Sequence, residues 1–312
     1  MTSIAGSITG ELHDPGSPLR NWLCMHLPNT KRIQKEFRES VVNKCLEPPK
    51  GARVGTIGTA FDCLIRFTVT PDERPEAAAL GAAWAQVQSG KNGPDWMDRF
   101  ESIASRLSEI AECLSRNGGE DQDVIEELIR GCWALALFTE VGRAIDLRQS
   151  PLSASSGCDV ETWFGCSDSL RADELKDLAA LYNTSRNNLI PFIRECGGPL
   201  REDTTMMGPL AGDADIMAGP WTIEIKAIVD RRKQDGTPRY GLDLRLLYQV
   251  VCYGLLSPPE SGIQHLALYN ARYNHLFSWK LDDMVSELAG YRIGAKDLAA
   301  QLISYLYESY AT

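Results

Sequence analysis

The sequence predicts a mixed chain of the α/β (α+β) class, and three observations carry that expectation. Met97, Phe100, Ile103, Ala104, Leu107, Ile110, Ala111 and Leu114 recur at three-and-four spacing, the stripe of an amphipathic helix. Residues 212–226, Gly-Asp-Ala-Asp-Ile-Met-Ala-Gly-Pro-Trp-Thr-Ile-Glu-Ile-Lys, alternate apolar and polar residues on both sides of the breaker pair Gly219-Pro220. Two short strands joined by a turn produce that pattern. Helical spacing then returns with Leu246, Gln249, Val250 and Tyr253. From 172 onward the order is α, β, β, β, α, β. The division expected is a helical N-terminal region over 1–120 and a core with C-terminal helices over 121–312.

Taken in order, the first dozen residues are small and polar and are expected to be loosely docked or disordered. Ser17-Pro18 has the form of a helix start and leads into 19–27. A second helix is expected over 31–46, stopped by Pro48-Pro49, followed by a loop over 51–57. Periodicity leaves 60–69 open between helix and strand. The Ala-rich 75–88 reads as a helix, the 97–114 stripe as the clearest one, and 121–147 as another. Residues 149–169, rich in Ser, Pro and Gly, read as a long loop. A helix over 172–195 is expected to kink at Pro191. Strands are expected at 204–207, 212–217 and 221–228, a helix at 242–256, a hairpin of 265–272 with 275–279, and helices at 281–288 and 295–310. The tryptophans Trp22, Trp84, Trp96 and Trp133 fall on apolar helix faces and read as core.

Composition narrows the function classes. With 44% apolar and 24% charged residues the chain has a globular make-up. It contains no apolar run of the ~18 residues that a membrane span needs, and it has no basic, then apolar, N-terminal leader. A cytoplasmic protein is expected. The nine cysteines include no C-x-x-C pair, and the four histidines no metal-spaced pair, which speaks against a disulfide framework and a zinc site. A net charge of −10 is unfavourable for a nucleic-acid enzyme. Distribution matters more: Arg231, Arg232, Lys233, Arg239 and Arg245 cluster just after Lys226. That cluster reads equally as a substrate-facing loop and as a solvated hairpin tip.

Alternation places Asp213 and Asp215 on one face of the first strand, and Glu224 and Lys226 on one face of the second. Charges beside Ile216, Ile223 and Ile225 need compensation. A hard divalent cation, Mg²⁺ or Mn²⁺, supplies it, because carboxylate and carbonyl oxygens are its preferred ligands. Lys226 beside such a cation would hold a water or a scissile phosphate oxygen. The plainer alternative is a polar Asp-Ala-Asp loop and a half-exposed strand.

Three motifs, G-x-x-D at 212–215, E-x-K at 224–226 and Q-x-x-x-Y at 249–253, together resemble the PD-(D/E)XK phosphodiesterase superfamily and within it the RecB-like nucleases. The resemblance covers roughly 203–290. It implies a restriction-endonuclease-like αβββαβ core and hydrolysis of DNA phosphodiesters in defence or repair. It also implies Asp215, Glu224 and the Ile225 carbonyl as metal ligands, with Asp213 as an alternate. Lys226 would orient water or stabilise charge. Gln249 would bond near the metal or to phosphate, with Tyr253 beneath it or at the substrate. Arg231, Arg232, Lys233 and Arg245 would meet DNA. Glu140, with Glu174 as competitor, is a candidate for the acidic residue that the family brings from an upstream helix, although a solvated i, i+3 pair with Arg143 is the favoured reading of it. Some RecB-like nucleases carry an iron-sulfur cluster, but here no cysteine follows Cys252. Arg272 and His275 read as structural. No G-x-x-x-x-G-K-[ST] motif is present. The acidic helical region is expected to bind a partner or a second copy, or to autoinhibit. The rival readings are a non-catalytic nucleic-acid binding or assembly protein that keeps the fold, and a hydrolase of another phosphate ester such as a nucleotide.

Overall fold

The structure is a computed structural model that describes residues 6–72, 74–90, 93–116, 121–143, 146–155, 169–197, 200–201, 206–212, 214–229, 234, 236 and 240–310. The chain is a mixed α and β protein that divides into two compact units, Leu46–Pro191 on one hand and Met1–Cys45 with Phe192–Thr312 on the other. This division differs from 1–120 and 121–312. The first 45 residues join the sheet-containing unit because their apolar side chains, Ile8, Leu12, Leu19, Trp22, Leu23, Ile33 and Phe37, enter its core.

That unit begins with β1 (Gly6–Ser7) and α1 (Ile8–His13), where the Ser7 hydroxyl caps α1 by accepting from the Gly10 N–H. The expectation of a loosely docked start is therefore corrected for 6–13. Next come α2 (Pro18–His26), capped by Ser17 as its sequence predicts, and α3 (Lys31–Glu39). α3 stops well short of 46 because the Ser40 hydroxyl takes the Phe37 carbonyl, a local bond that competes with continuing the helix.

The second unit is helical among its described residues. It contains α4 (Val54–Val69), α5 (Glu76–Ser89), α6 (Trp96–Arg116), α7 (Gln122–Gly142) and α8 (Ala172–Ser185). Two 3₁₀ turns, Leu147–Gln149 and Pro151–Ser155, occupy part of the expected loop. α7 is buried on nearly every side from Leu128 to Val141, touching α4, α5, α6 and α8, so it is the central helix. α5 crosses it at very short range: a Cβ on Gly81 would lie 1.8 Å from the Phe138 carbonyl oxygen. Trp96 and Trp133 are buried as expected, but Trp84 is 49% exposed. Its reading as core is corrected, because the inner face of α5 is made of Ala78, Gly81, Ala82 and Ala85.

α9 (Leu189–Cys196) follows α8 after a break at 186–188. Pro191 thus sits in the first turn of a new helix, where its missing N–H is harmless, and does not kink a long one. The sheet then forms from β2 (Leu200–Arg201), β4 (Ile216–Ala218) and β5 (Trp221–Lys226), with the short β3 (Leu210–Ala211) pairing parallel with β1 instead. Gly219 turns β4 into β5 at a φ of 52°, which suits glycine, and a Cβ there would lie 2.6 Å from the carbonyl oxygens of Cys196 and Gly197. α10 (Leu244–Leu256) crosses over to β6 (His265–Asn270), which lies parallel to β5, and a 3₁₀ turn at Ala271–Tyr273 leads to the antiparallel β7 (His275–Lys280). The sheet order is β2-β4-β5-β6-β7. α11 (Leu281–Ala289) and α12 (Ala295–Tyr310) close the chain where their periodicity predicts.

One face of this sheet carries Met217, Leu266 and Leu268 into a core shared with α1, α2, α10 and α12. Register puts Thr222 beside Leu266 and Glu224 beside Leu268, so both polar side chains point into the same apolar layer. Arg272 is fully buried and donates to the Ala227 carbonyl at 2.8 Å. His275 is buried between the hydroxyls of Tyr240 and Ser40. Both have structural roles, as the sequence suggests.

Candidate active site

β5 ends at Lys226 on the edge where β6 also ends and β7 begins, since Lys226 pairs with Asn270 and Asn270 with His275. In sheets with parallel strands, sites gather at such C-terminal ends. Glu224 and Lys226 lie two residues apart on one strand face, and their side chains meet in a direct ion pair. From α10, the Gln249 amide donates to the same Glu224 oxygen at 2.9 Å. It also donates to the Tyr253 hydroxyl, one turn along, at 2.9 Å. Asp215 stands just before β4, one position beyond the Ile216–Ile223 pair, and so faces Glu224 across the ladder. Its carboxylate accepts the Ile225 N–H at 2.6 Å, continuing the ladder by side chain after the backbone pairing has ended.

The three motifs thus converge on Glu224, which is only 1% exposed. Burial works against the charge on Lys226, but the carboxylates of Glu224 and Asp215 outweigh it and hold the ammonium above its ordinary pKa. Lys226 is therefore a cation at any physiological pH. Burial, then the Glu224 charge, pushes the Tyr253 phenol up in turn. Tyr253 is 2% exposed and takes a further hydrogen bond from Thr9 of α1. Its hydroxyl thus holds the Gln249 amide from a position closed off from solvent. Gly212 has its reason in the same place: a Cβ there would lie 2.7 Å from side-chain atoms of Ile8 and Met206, and 3.3 Å from the Tyr253 ring.

Arg245 is half exposed and shared between Asp243 at 3.3 Å and the His13 ring at 2.9 Å. Asp213, Arg231, Arg232 and Lys233 lie outside the described residues. Glu140 and Glu174 belong to the helical unit, where each already has local partners. Glu140 accepts from the Thr56 hydroxyl. Glu174 is fully buried and accepts from the Arg53 guanidinium at 3.0 Å and from the Arg53 and Arg171 backbone N–H groups. Burial opposes the charge of Glu174, but those donors prevail and keep its carboxyl below the usual range. Thr9 is the contributor that sequence reasoning missed, and no pattern around it marks it.

The donors available to a cation are Asp215, Glu224 and the Ile225 carbonyl, all hard oxygens of the type that Mg²⁺ or Mn²⁺ takes. Among the described residues, no group of three or more His, Cys, Asp and Glu side chains is placed to hold a metal. A cation here would therefore rest on two carboxylates and a carbonyl, with water filling the other positions.

Compared with protein-family models, with curated proteins and with solved structures, the chain finds no match. Among the described residues, no helix is long and apolar enough to cross a membrane.

Proposed function

We propose that this protein is a metal-dependent nuclease of the PD-(D/E)XK type, RecB-like branch, which hydrolyses DNA phosphodiester bonds. The observation that carries the reading is the convergence of Glu224, Lys226 and Gln249 in one hydrogen-bonded cluster, with Asp215 fixed beside it through the Ile225 amide. The α, β, β, β, α, β succession around the cluster supports it, as does the site's position at the strand ends. A role in defence or repair follows from the same resemblance, and a cytoplasmic location is proposed from composition.

In this account Asp215, Glu224 and the Ile225 carbonyl hold Mg²⁺ or Mn²⁺. When bound, the cation neutralises phosphate charge and acidifies an attacking water. Gln249 fixes the Glu224 carboxylate, and Tyr253 and Thr9 fix Gln249. Lys226, permanently charged and 27% exposed, orients the water and stabilises charge growing on the phosphate oxygens. Arg231, Arg232, Lys233 and Arg245 supply contacts to the DNA backbone.

The second reading, a non-catalytic nucleic-acid binding or assembly protein, is favoured by one feature. One Glu224 carboxylate oxygen already accepts from both Lys226 and Gln249, as it would in a purely structural ion pair. Cleavage of DNA by wild type and by Glu224→Ala, in Mg²⁺, Mn²⁺ and EDTA, decides between them. Metal-dependent cutting lost in the folded variant supports the nuclease. Equal cutting by both refutes this site.

A further inference from the structure

The helical unit holds a second site, and we infer that it binds a nucleotide, through an aromatic base and a phosphate, in the groove where α5 and α7 end and α6 begins. The groove measures about 930 Å³. That lies within the ~300–1,000 Å³ typical of small-ligand sites. This inference does not rest on the nuclease reading, because every residue that lines the groove belongs to Leu46–Pro191.

Three groups in the groove define the ligand. The first is Trp84, whose indole is half exposed at the wall, while Trp96, 1% exposed, forms the floor. A half-exposed indole offers a flat face, and the flat partner that suits it best is another π-system. The second is Arg143, which caps the C-terminus of α7 and is exposed, with no ion pair among the described residues. The neighbouring Arg148 differs, since its guanidinium grips Asp146 at 2.6 Å and the pair is self-neutralising. Arg143 is thus the cation left for an anion. The third is Gln88, whose carbonyl oxygen accepts the Leu147 N–H at 2.7 Å. That bond fixes the amide so that its NH₂ is the end offered to a ligand, where it selects a hydrogen-bond acceptor.

A planar ring with acceptor atoms, joined to an anion, meets all three. A nucleobase stacks on Trp84 and offers a carbonyl or ring nitrogen to Gln88, and its phosphate reaches Arg143. The scaffold is stiff at this point, because α5 and α7 touch backbone to backbone at Gly81 and Phe138. The same chemistry is carried by a free mononucleotide and by one residue of a single strand.

The test is isothermal titration of the full-length protein in EDTA with AMP, GMP, CMP and UMP separately, then with a short oligothymidylate, with inorganic phosphate as control. Saturable binding of a nucleotide, weakened about tenfold or more in Trp84→Ala and again in Arg143→Gln, is expected. Trp84 is half exposed and Arg143 exposed, so both variants should stay folded with melting temperatures lowered by a few degrees at most, and Trp84→Phe should retain most of the affinity. Tighter binding of the oligonucleotide identifies a strand; tighter binding of a mononucleotide identifies a free ligand. Binding must persist in Lys226→Met, which separates this site from the candidate nuclease site. Absence of binding to every nucleotide and to the oligonucleotide overturns the inference. So does affinity unchanged in both variants, or phosphate binding as well as the nucleotides do.

Discussion

Replacing Lys226 by methionine separates a cation site from a self-contained ion pair. In the folded protein the Lys226 ammonium is bonded to Glu224, whose carboxylate is 1% exposed. Removing it leaves a buried negative charge with Gln249 still donating to one oxygen. Breaking one side of a buried pair costs about 3–5 kcal/mol. The Lys226 side chain is 27% exposed and Gln249 remains, so the cost falls below that range, at about 2–3 kcal/mol. A divalent cation held by Asp215 and Glu224 would compensate the same charge, and at a hundred times its Kd it would add about 2.7 kcal/mol. Urea unfolding of the full-length variant in EDTA and in excess Mg²⁺ is the assay. The variant should be less stable than wild type by that amount in EDTA, recover most of it in Mg²⁺, and lose the recovery when Asp215→Asn is added. A loss below about 1 kcal/mol in EDTA would refute the argument about buried charge. Recovery that survives Asp215→Asn would refute the cation site.

Three further outcomes follow from single contacts. Glu174→Ala should destabilise the chain by about 2–3 kcal/mol in denaturant unfolding, because Arg53 loses its buried partner. DNA cleavage per folded molecule should be unchanged, and a selective loss of cleavage would make Glu174 part of the site. Gly81→Ala should destabilise by about 3 kcal/mol, since the new methyl falls on the Phe138 carbonyl and α5 must move away from α7; a melting temperature equal to wild type would contradict that packing. Burial holds the His275 pKa below its ordinary value, so the unfolded chain binds that proton more readily. The contribution of His275 is complete above about pH 6.5 and is lost as pH falls through the lower folded value, with a slope of at most about 1.4 kcal/mol per pH unit. Stability profiles of wild type and His275→Gln should therefore converge toward acid, and parallel profiles would refute the assignment.

Much of the sheet-containing unit was legible in the sequence because its signals are local. Alternation around Gly219-Pro220 marked β4 and β5, the spacing of Leu246 to Tyr253 marked α10, and the 265–280 alternation marked the last hairpin. The pairings of Glu224 with Lys226 and of Gln249 with Tyr253 follow from strand and helix periods alone. What periodicity could not supply was long-range. Nothing near Thr9 announces that it bonds Tyr253, nor does any local feature announce that the first 45 residues pack against a sheet formed after 200. β4 is shorter than its alternating run because the Asp215 side chain replaces the backbone in the ladder. Trp84 misled because α5 is apolar nearly all round, so hydrophobicity did not say which face is inward; small residues meeting α7 decide it. Glu140 and Glu174 are acidic residues on helices before the strands, as the resemblance asks, yet their donors are Thr56, Arg53 and Arg171, which sequence spacing does not reveal.

The central claim is that Asp215, Glu224, Lys226 and Gln249 form the site of a metal-dependent nuclease. It is tested most directly by incubating wild type and Lys226→Ala with closed circular DNA, with linear single- and double-stranded DNA and with RNA, in Mg²⁺, Mn²⁺ or EDTA. The account predicts that wild type cuts DNA only with the metal and that folded Lys226→Ala does not; cutting of the closed circles would make the activity endonucleolytic. Cleavage by Lys226→Ala at the wild-type rate, or a folded wild type that cuts none of these substrates with either metal, would contradict it.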